Sequence, residues 1–145
     1  MDLSKAVFSN GRQGQGGFSG GSEKSPSMVR ARVRARRNST DGKRMLDLAI
    51  GSAIASDFGH VPGSYVSLGT IESDGTRYLL ILPATDGDKG SVKLHRSKDA
   101  KSGALRCRTQ SPVVIDIVRG EFTDRYRSLE HVPDTDNPSV IILAL

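Results

Sequence analysis

The sequence predicts an α+β fold dominated by antiparallel β-structure. The expected body is a five- to six-stranded sheet, or a small barrel or sandwich, with one or two short helices, preceded by a disordered basic arm. Three observations carry that expectation. Six short runs after Pro62 are rich in β-branched or apolar residues and are separated by turn formers. Asp74-Gly75 separates the first two of these runs, and both central positions of a two-residue hairpin turn need positive φ. The first 43 residues are rich in Gly, Ser and Arg and offer little apolar surface to bury.

Charge divides the chain in the same place. Residues 1–44 hold 10 Lys and Arg against three acids, or +7, while the remainder holds 11 basic and 13 acidic residues, or −2. The expected organisation is a flexible arm over 1–43 and a compact domain over 44–145, about the size that buries a modest core without disulfides or metal. With no Trp, three Tyr and four Phe, that core must rest on Val, Ile, Leu and Ala. A single cysteine, Cys107, excludes an intramolecular disulfide and fits a reducing compartment. No run approaches the roughly 18 apolar residues that cross a bilayer. The first residues lack a charged region followed by an apolar one, so no signal peptide is expected. The expected location is intracellular, cytoplasmic or nuclear, or a virion if the protein is viral.

Taken in order, residues 9–28 read as a flexible Gly/Ser/Gln linker. Residues 29–37 read V-R-A-R-V-R-A-R-R, whose alternation places Arg30, Arg32, Arg34 and Arg36 on one side of an extended chain. Asp41 is a plausible N-cap for a helix carrying Leu46, Ile50, Ala53 and Ile54, with Phe58 beyond and Gly59 as its stop, although Gly51 weakens its interior. Strands are expected over 65–71, 76–82, 91–96, 104–108, 113–118 and 140–145, with loops over 85–90 and 97–103. A short helix is expected over 121–131, with Phe122, Tyr126 and Leu129 on one face and Pro133 ending it. The unbroken apolar run 140–145 suits a strand covered on both faces, inside the sheet or across a subunit interface.

Few residues point to catalysis. The glycines of 14–21 lack the Lys-Ser/Thr ending and flanking elements of a phosphate loop. Asp86-Gly87-Asp88 lacks the later acids of a calcium loop, and His60, His95 and His131 lack metal-ligand spacing, so neither metal nor cofactor is expected. Asp116 is the one carboxylate in 113–118, where alternation sends it to solvent. Cys107 lies between Arg106 and Arg108, which would activate it if exposed, but a buried position on a hairpin is the simpler reading. Arg36-Arg37-Asn38-Ser39 has the spacing favoured by basophilic kinases, making Ser39 a phosphorylation candidate that would lower the arm's charge.

The arginine cluster is the best functional candidate. Guanidinium groups bind phosphate bidentately and stay charged, so Arg30, Arg32, Arg34, Arg36, Arg37, Lys43 and Arg44 are expected to contact an RNA or DNA backbone without reading sequence. The β-rich body would supply self-association or a partner surface. This layout of basic arm and small β-rich body resembles that of small viral coat or matrix-type proteins, which implies a genome-contacting arm and an assembling body. Competing readings are a nuclear-import or targeting signal in the basic arm, contact with an anionic membrane surface or an acidic protein partner, a module that inhibits or adapts another protein, and a small enzyme centred on Asp116, His95 or Cys107.

Overall fold

The computed structural model describes residues 3, 6–8, 28–35, 44–96, 103–111, 114–115 and 125–145. Their elements are β1 (Val7–Phe8), β2 (Val29–Ala35), β3 (Arg44–Ile50), α1 (Ser52–Asp57), β4 (Tyr65–Ser73), β5 (Thr76–Ala84), β6 (Val92–Lys93), β7 (His95–Arg96), β8 (Leu105–Thr109), β9 (Arg127–Leu129) and β10 (Ile141–Ala144). Every strand pairing is antiparallel, in two five-stranded sheets. The first runs β1-β4-β5-β10, with β6 also on β4, and the second runs β7-β8-β3-β2-β9.

Two corners join these sheets into a small barrel. At Leu94 the chain leaves β6, paired to β4, and enters β7, paired to β8. After β9 it bonds to β10 instead: His131 bridges Leu143, the Val132 N–H donates to Ile142, and the Ala144 N–H donates to Glu130. The strand ladders therefore continue from one sheet to the other through both corners, which shortens the edges that would invite aggregation. The β4–β5 hairpin turns at Asp74 and Gly75, with φ of 52° and 79°, as the Asp-Gly pair predicts.

Inward-facing residues of both sheets fill the barrel: Val29, Ala31, Val33, Leu46, Leu48 and Ile50 meet Val66, Leu68, Leu79, Ile81, Ile141 and Leu143. The outer face of the first sheet carries a second cluster, in which Leu3 and Ala6 pack with Ile71, Leu80, Leu82, Val140 and Ile142. β10 is thus covered on both faces within the chain, which explains its apolar run without a subunit interface. No aromatic residue stands among the buried hydrophobic residues described, so aliphatic side chains carry the core.

The structure corrects several expectations. Residues 44–50 form β3 and not the first half of a helix, which is confined to Ser52–Asp57. Leu46, Leu48 and Ile50 satisfy a period of two as well as a helical one, and strands on both sides complete their hydrogen bonds. Gly51, with ψ of 149°, is the break between strand and helix. Of the strand expected over 113–118 only Val114 and Ile115 are described, and they lie in a helical turn, with the Ile115 N–H bonded to the Ser111 carbonyl. A short apolar run fits either state, and here burial in the core is satisfied by the helical one. Asp116 lies outside the described residues. Of the helix expected over 121–131, residues 121–124 lie outside the described residues, and 127–129 form β9, which supplies backbone partners to the edge of β2. The 91–96 strand is broken at Leu94 by the change of sheet. The flexible arm expected over 1–43 does not include 29–35: β2 is an interior strand, paired to β3 and β9, because Val29, Ala31 and Val33 bury in the core.

Candidate nucleic-acid interface

Alternation on β2 that sends Val29, Ala31 and Val33 inward sends Arg30, Arg32 and Arg34 to the outer face of the second sheet. The same pattern recurs on β8, where Leu105, Cys107 and Thr109 are buried and Arg106 and Arg108 point outward. Between these strands, β3 presents Met45, Asp47 and Ala49 on that face. Register sets the layout. One row runs His95, Arg106, Ala49, Arg30 and Ser128, and the next runs Arg108, Asp47 and Arg32. Arginines recur every ~6.6 Å along a strand, and Arg30 and Arg106 stand two strands or ~10 Å apart.

Asp47 is the centre of this surface. Its side chain is 5 % exposed, against 30 % for Arg32, 23 % for Arg34 and 63 % for Arg108. Oδ2 accepts from Arg32 Nε at 3.0 Å and from Arg34 Nε, while Oδ1 lies 3.6 Å from Arg108 Nε. Three guanidiniums around one carboxylate leave a local excess of +2. Tyr126 adds a planar contact: the Arg32 and Arg30 guanidinium carbons lie 4.5 and 5.4 Å from its ring centroid. Where the β6–β7 corner rises beside the sheet, these groups border a cavity of about 450 Å³ lined by Arg32, Lys93, His95, Arg96, Arg106 and Arg108, with Asp47 among the remainder.

Two of the seven residues expected from the sequence to contact phosphate, Arg32 and Arg34, are held by Asp47, and Arg30 is exposed beside them. Arg44 stands opposite Ala35 in register, at the end of β3 and on the other face of the sheet. Arg36, Arg37, Lys43 and the phosphorylation candidate Ser39 lie outside the described residues. Sequence reasoning missed Arg106, Arg108, Lys93 and Arg96 as members of one cationic surface. The signal available was L-R-C-R-T at 105–109, the same alternation as V-R-A-R-V-R-A at 29–35.

Of the residues that would centre an enzyme, Asp116 lies outside the described residues, while His95 and Cys107 both belong to the strands that border this cavity. Cys107 packs in the core, and burial, reinforced by the Asp47 charge, pushes its thiol up to about 12. His95 pairs in register with Arg106, so its side chain belongs to the opposite face from Cys107. Burial pushes the His60 imidazole below its usual range, and does the same to His131 against an opposing contribution from Asp57. No group of three His, Cys, Asp or Glu residues that would hold a metal occurs among the described residues. Asp88 accepts from the Thr85 N–H at 2.9 Å, as in a loop that closes on itself. No helix among the described residues is long and apolar enough to cross a membrane.

Comparison with known proteins finds no matching family model, no similar curated protein and no similar solved structure.

Proposed function

We propose that this protein is a non-enzymatic nucleic-acid-associated protein that grips phosphate backbone with the outer face of its second sheet. The observation that carries the reading is the array of Arg30, Arg32, Arg34, Arg106 and Arg108 on neighbouring strands around Asp47, the one acid on this face among the described residues. Structural pairing needs one or two cations per carboxylate, and five arginines exceed that. Guanidinium forks on a rigid sheet suit phosphate oxygens better than a mobile tail would, because less side-chain freedom is lost on binding. Contacts of this kind give affinity without sequence reading, so the ligand class is RNA or DNA as a polyanion.

Salt dependence tests the reading. Four phosphate contacts to a single strand give a log–log slope of affinity on salt of about −2.8, at ~0.7 per phosphate. Arg30→Gln with Arg108→Gln leaves Arg32 and Arg34 on Asp47, so the fold is kept and the slope becomes shallower by about 1.4. Binding that ignores salt, or a double variant with the wild-type slope, would refute the assignment of this face.

A further inference from the structure

We propose that the cavity between the β6–β7 corner and the outer face of β3 and β8 is a site for a terminal phosphate monoester of a nucleic-acid strand, a refinement that rests on the nucleic-acid reading above. A flat row of arginines suits a run of phosphodiesters, each bearing one charge. The cavity differs from that row in gathering Arg32, Lys93, Arg96, Arg106 and Arg108 around one concave space of about 450 Å³. Among the described residues Asp47 is the only acid lining it, and that carboxylate already faces Arg32, Arg34 and Arg108. Among the described lining residues, the five cations less Asp47 leave +4 around this space, where a monoester of about −1.5 to −2 is favoured over a diester.

A second observation points to a ligand independently of charge. Arg106 Nε is buried and has no hydrogen-bond partner among the described residues. Buried donors are almost always satisfied, and an unpartnered Nε–H on a residue that lines a cavity is a donor that an acceptor entering the cavity could satisfy. Phosphate oxygens supply several acceptors at once, in the geometry that guanidinium matches best. The volume falls in the range of small-ligand pockets and holds the terminal nucleotide as well as its phosphate. Tyr126 and the Arg32 guanidinium offer planar surfaces beside the phosphate for a terminal base to stack on.

The test compares short single-stranded oligonucleotides of one sequence by fluorescence anisotropy, with the full chain. One carries a phosphate at its first nucleotide, one at its last, and one ends in hydroxyls. One of the two phosphorylated strands is expected to bind about tenfold more tightly than the hydroxyl strand, the factor given by one added charge-assisted hydrogen bond. Lys93→Gln should bring that ratio close to one while binding of the hydroxyl strand falls about threefold at most, whereas Arg106→Gln, at a residue that also belongs to the backbone-binding array, should bring the ratio close to one and weaken binding of every strand. Lys93 is exposed at the rim, so its variant keeps the test valid if Arg106→Gln misfolds. Added inorganic phosphate, matched in ionic strength by chloride, should erase the advantage of the phosphorylated strand alone. Equal wild-type affinity for all three strands overturns the terminal-phosphate site and leaves the backbone-binding face standing. Failure of every strand to bind at low salt overturns the nucleic-acid reading itself.

Discussion

Replacing Asp47 with Asn removes the acid that pairs with Arg32, Arg34 and Arg108 on the cationic face while keeping its shape. The side chain is 5 % exposed, so the charge it supplies to Arg32 and Arg34 is poorly screened. Removing one member of a buried ion pair costs about 3–5 kcal/mol when the other charge stays buried. Here Arg32 and Arg34 retain 30 % and 23 % exposure and gain some hydration in return, and the Arg108 contact, 63 % exposed, adds little. The expected loss is therefore about 2–3 kcal/mol, a large share of the roughly 5–15 kcal/mol that stabilises a domain. For a body of this size it lowers the melting temperature by roughly 8–15 °C. Thermal melting by circular dichroism reads the loss. A double-mutant cycle with Arg34→Gln should return a coupling of about 1 kcal/mol, because that arginine shares Oδ2 with Arg32. A melting temperature within about 1 °C of wild type, or a cycle that is additive within about 0.3 kcal/mol, would refute the claim that Asp47 holds the face together.

Truncation after Ser139 removes Val140, Ile141, Ile142 and Leu143, all 0 % exposed, and with them about 6 kcal/mol or more of apolar burial. No cooperative melting transition is expected, and a truncated chain that melts like wild type would show β10 to be dispensable. The Cys107 thiol should resist labelling at neutral pH until denaturant is added. Because its folded value of about 12 lies above the unfolded 9.0, its contribution to stability is whole below pH 9 and is lost as pH rises towards 12. Cys107→Ala should flatten that alkaline loss relative to wild type, measured by denaturant titration across the window. The sign for His60 is opposite: burial lowers its value from 6.5, so the stability it gives is present above pH 6.5 and is lost as pH falls. His60→Gln should melt with a smaller drop between neutral and mildly acidic pH than wild type does.

The strand content of the body was legible because its signals are local. Asp74-Gly75 dictates its turn whatever surrounds it, and the β4–β5 hairpin follows from that turn and its flanking apolar runs. Residues 44–50 were ambiguous because R-M-L-D-L-A-I fits both periods, and β2 and β8 decide between them from far along the chain. The high charge of 29–37 pointed to a solvated tail, yet its small apolar residues are what the core uses. Half of the candidate site was therefore visible as an alternating arginine run. The other half, on β8 and the β6–β7 corner, could be joined to it only by knowing the strand order.

Asp47 explains why so cationic a sheet face is tolerated. Like charges on neighbouring strands repel, and a continuous arginine surface would splay the strands that bear it. The central strand separates the two arginine strands, and its outward residues are Met45, Asp47 and Ala49. Each has a distinct effect. Asp47 draws Arg32, Arg34 and Arg108 towards the middle of the face, whereas Ala49 leaves a gap between Arg30 and Arg106. Met45 and Ala49 are themselves 5 % and 2 % exposed, so the stretch between the arginines is covered although it lies on the outer face. A face needed only for stability would balance its arginines with a second acid in place of Met45 or Ala49. Among the described residues the excess charge is held in check by one carboxylate, an arrangement that supports the proposed pairing with a polyanion.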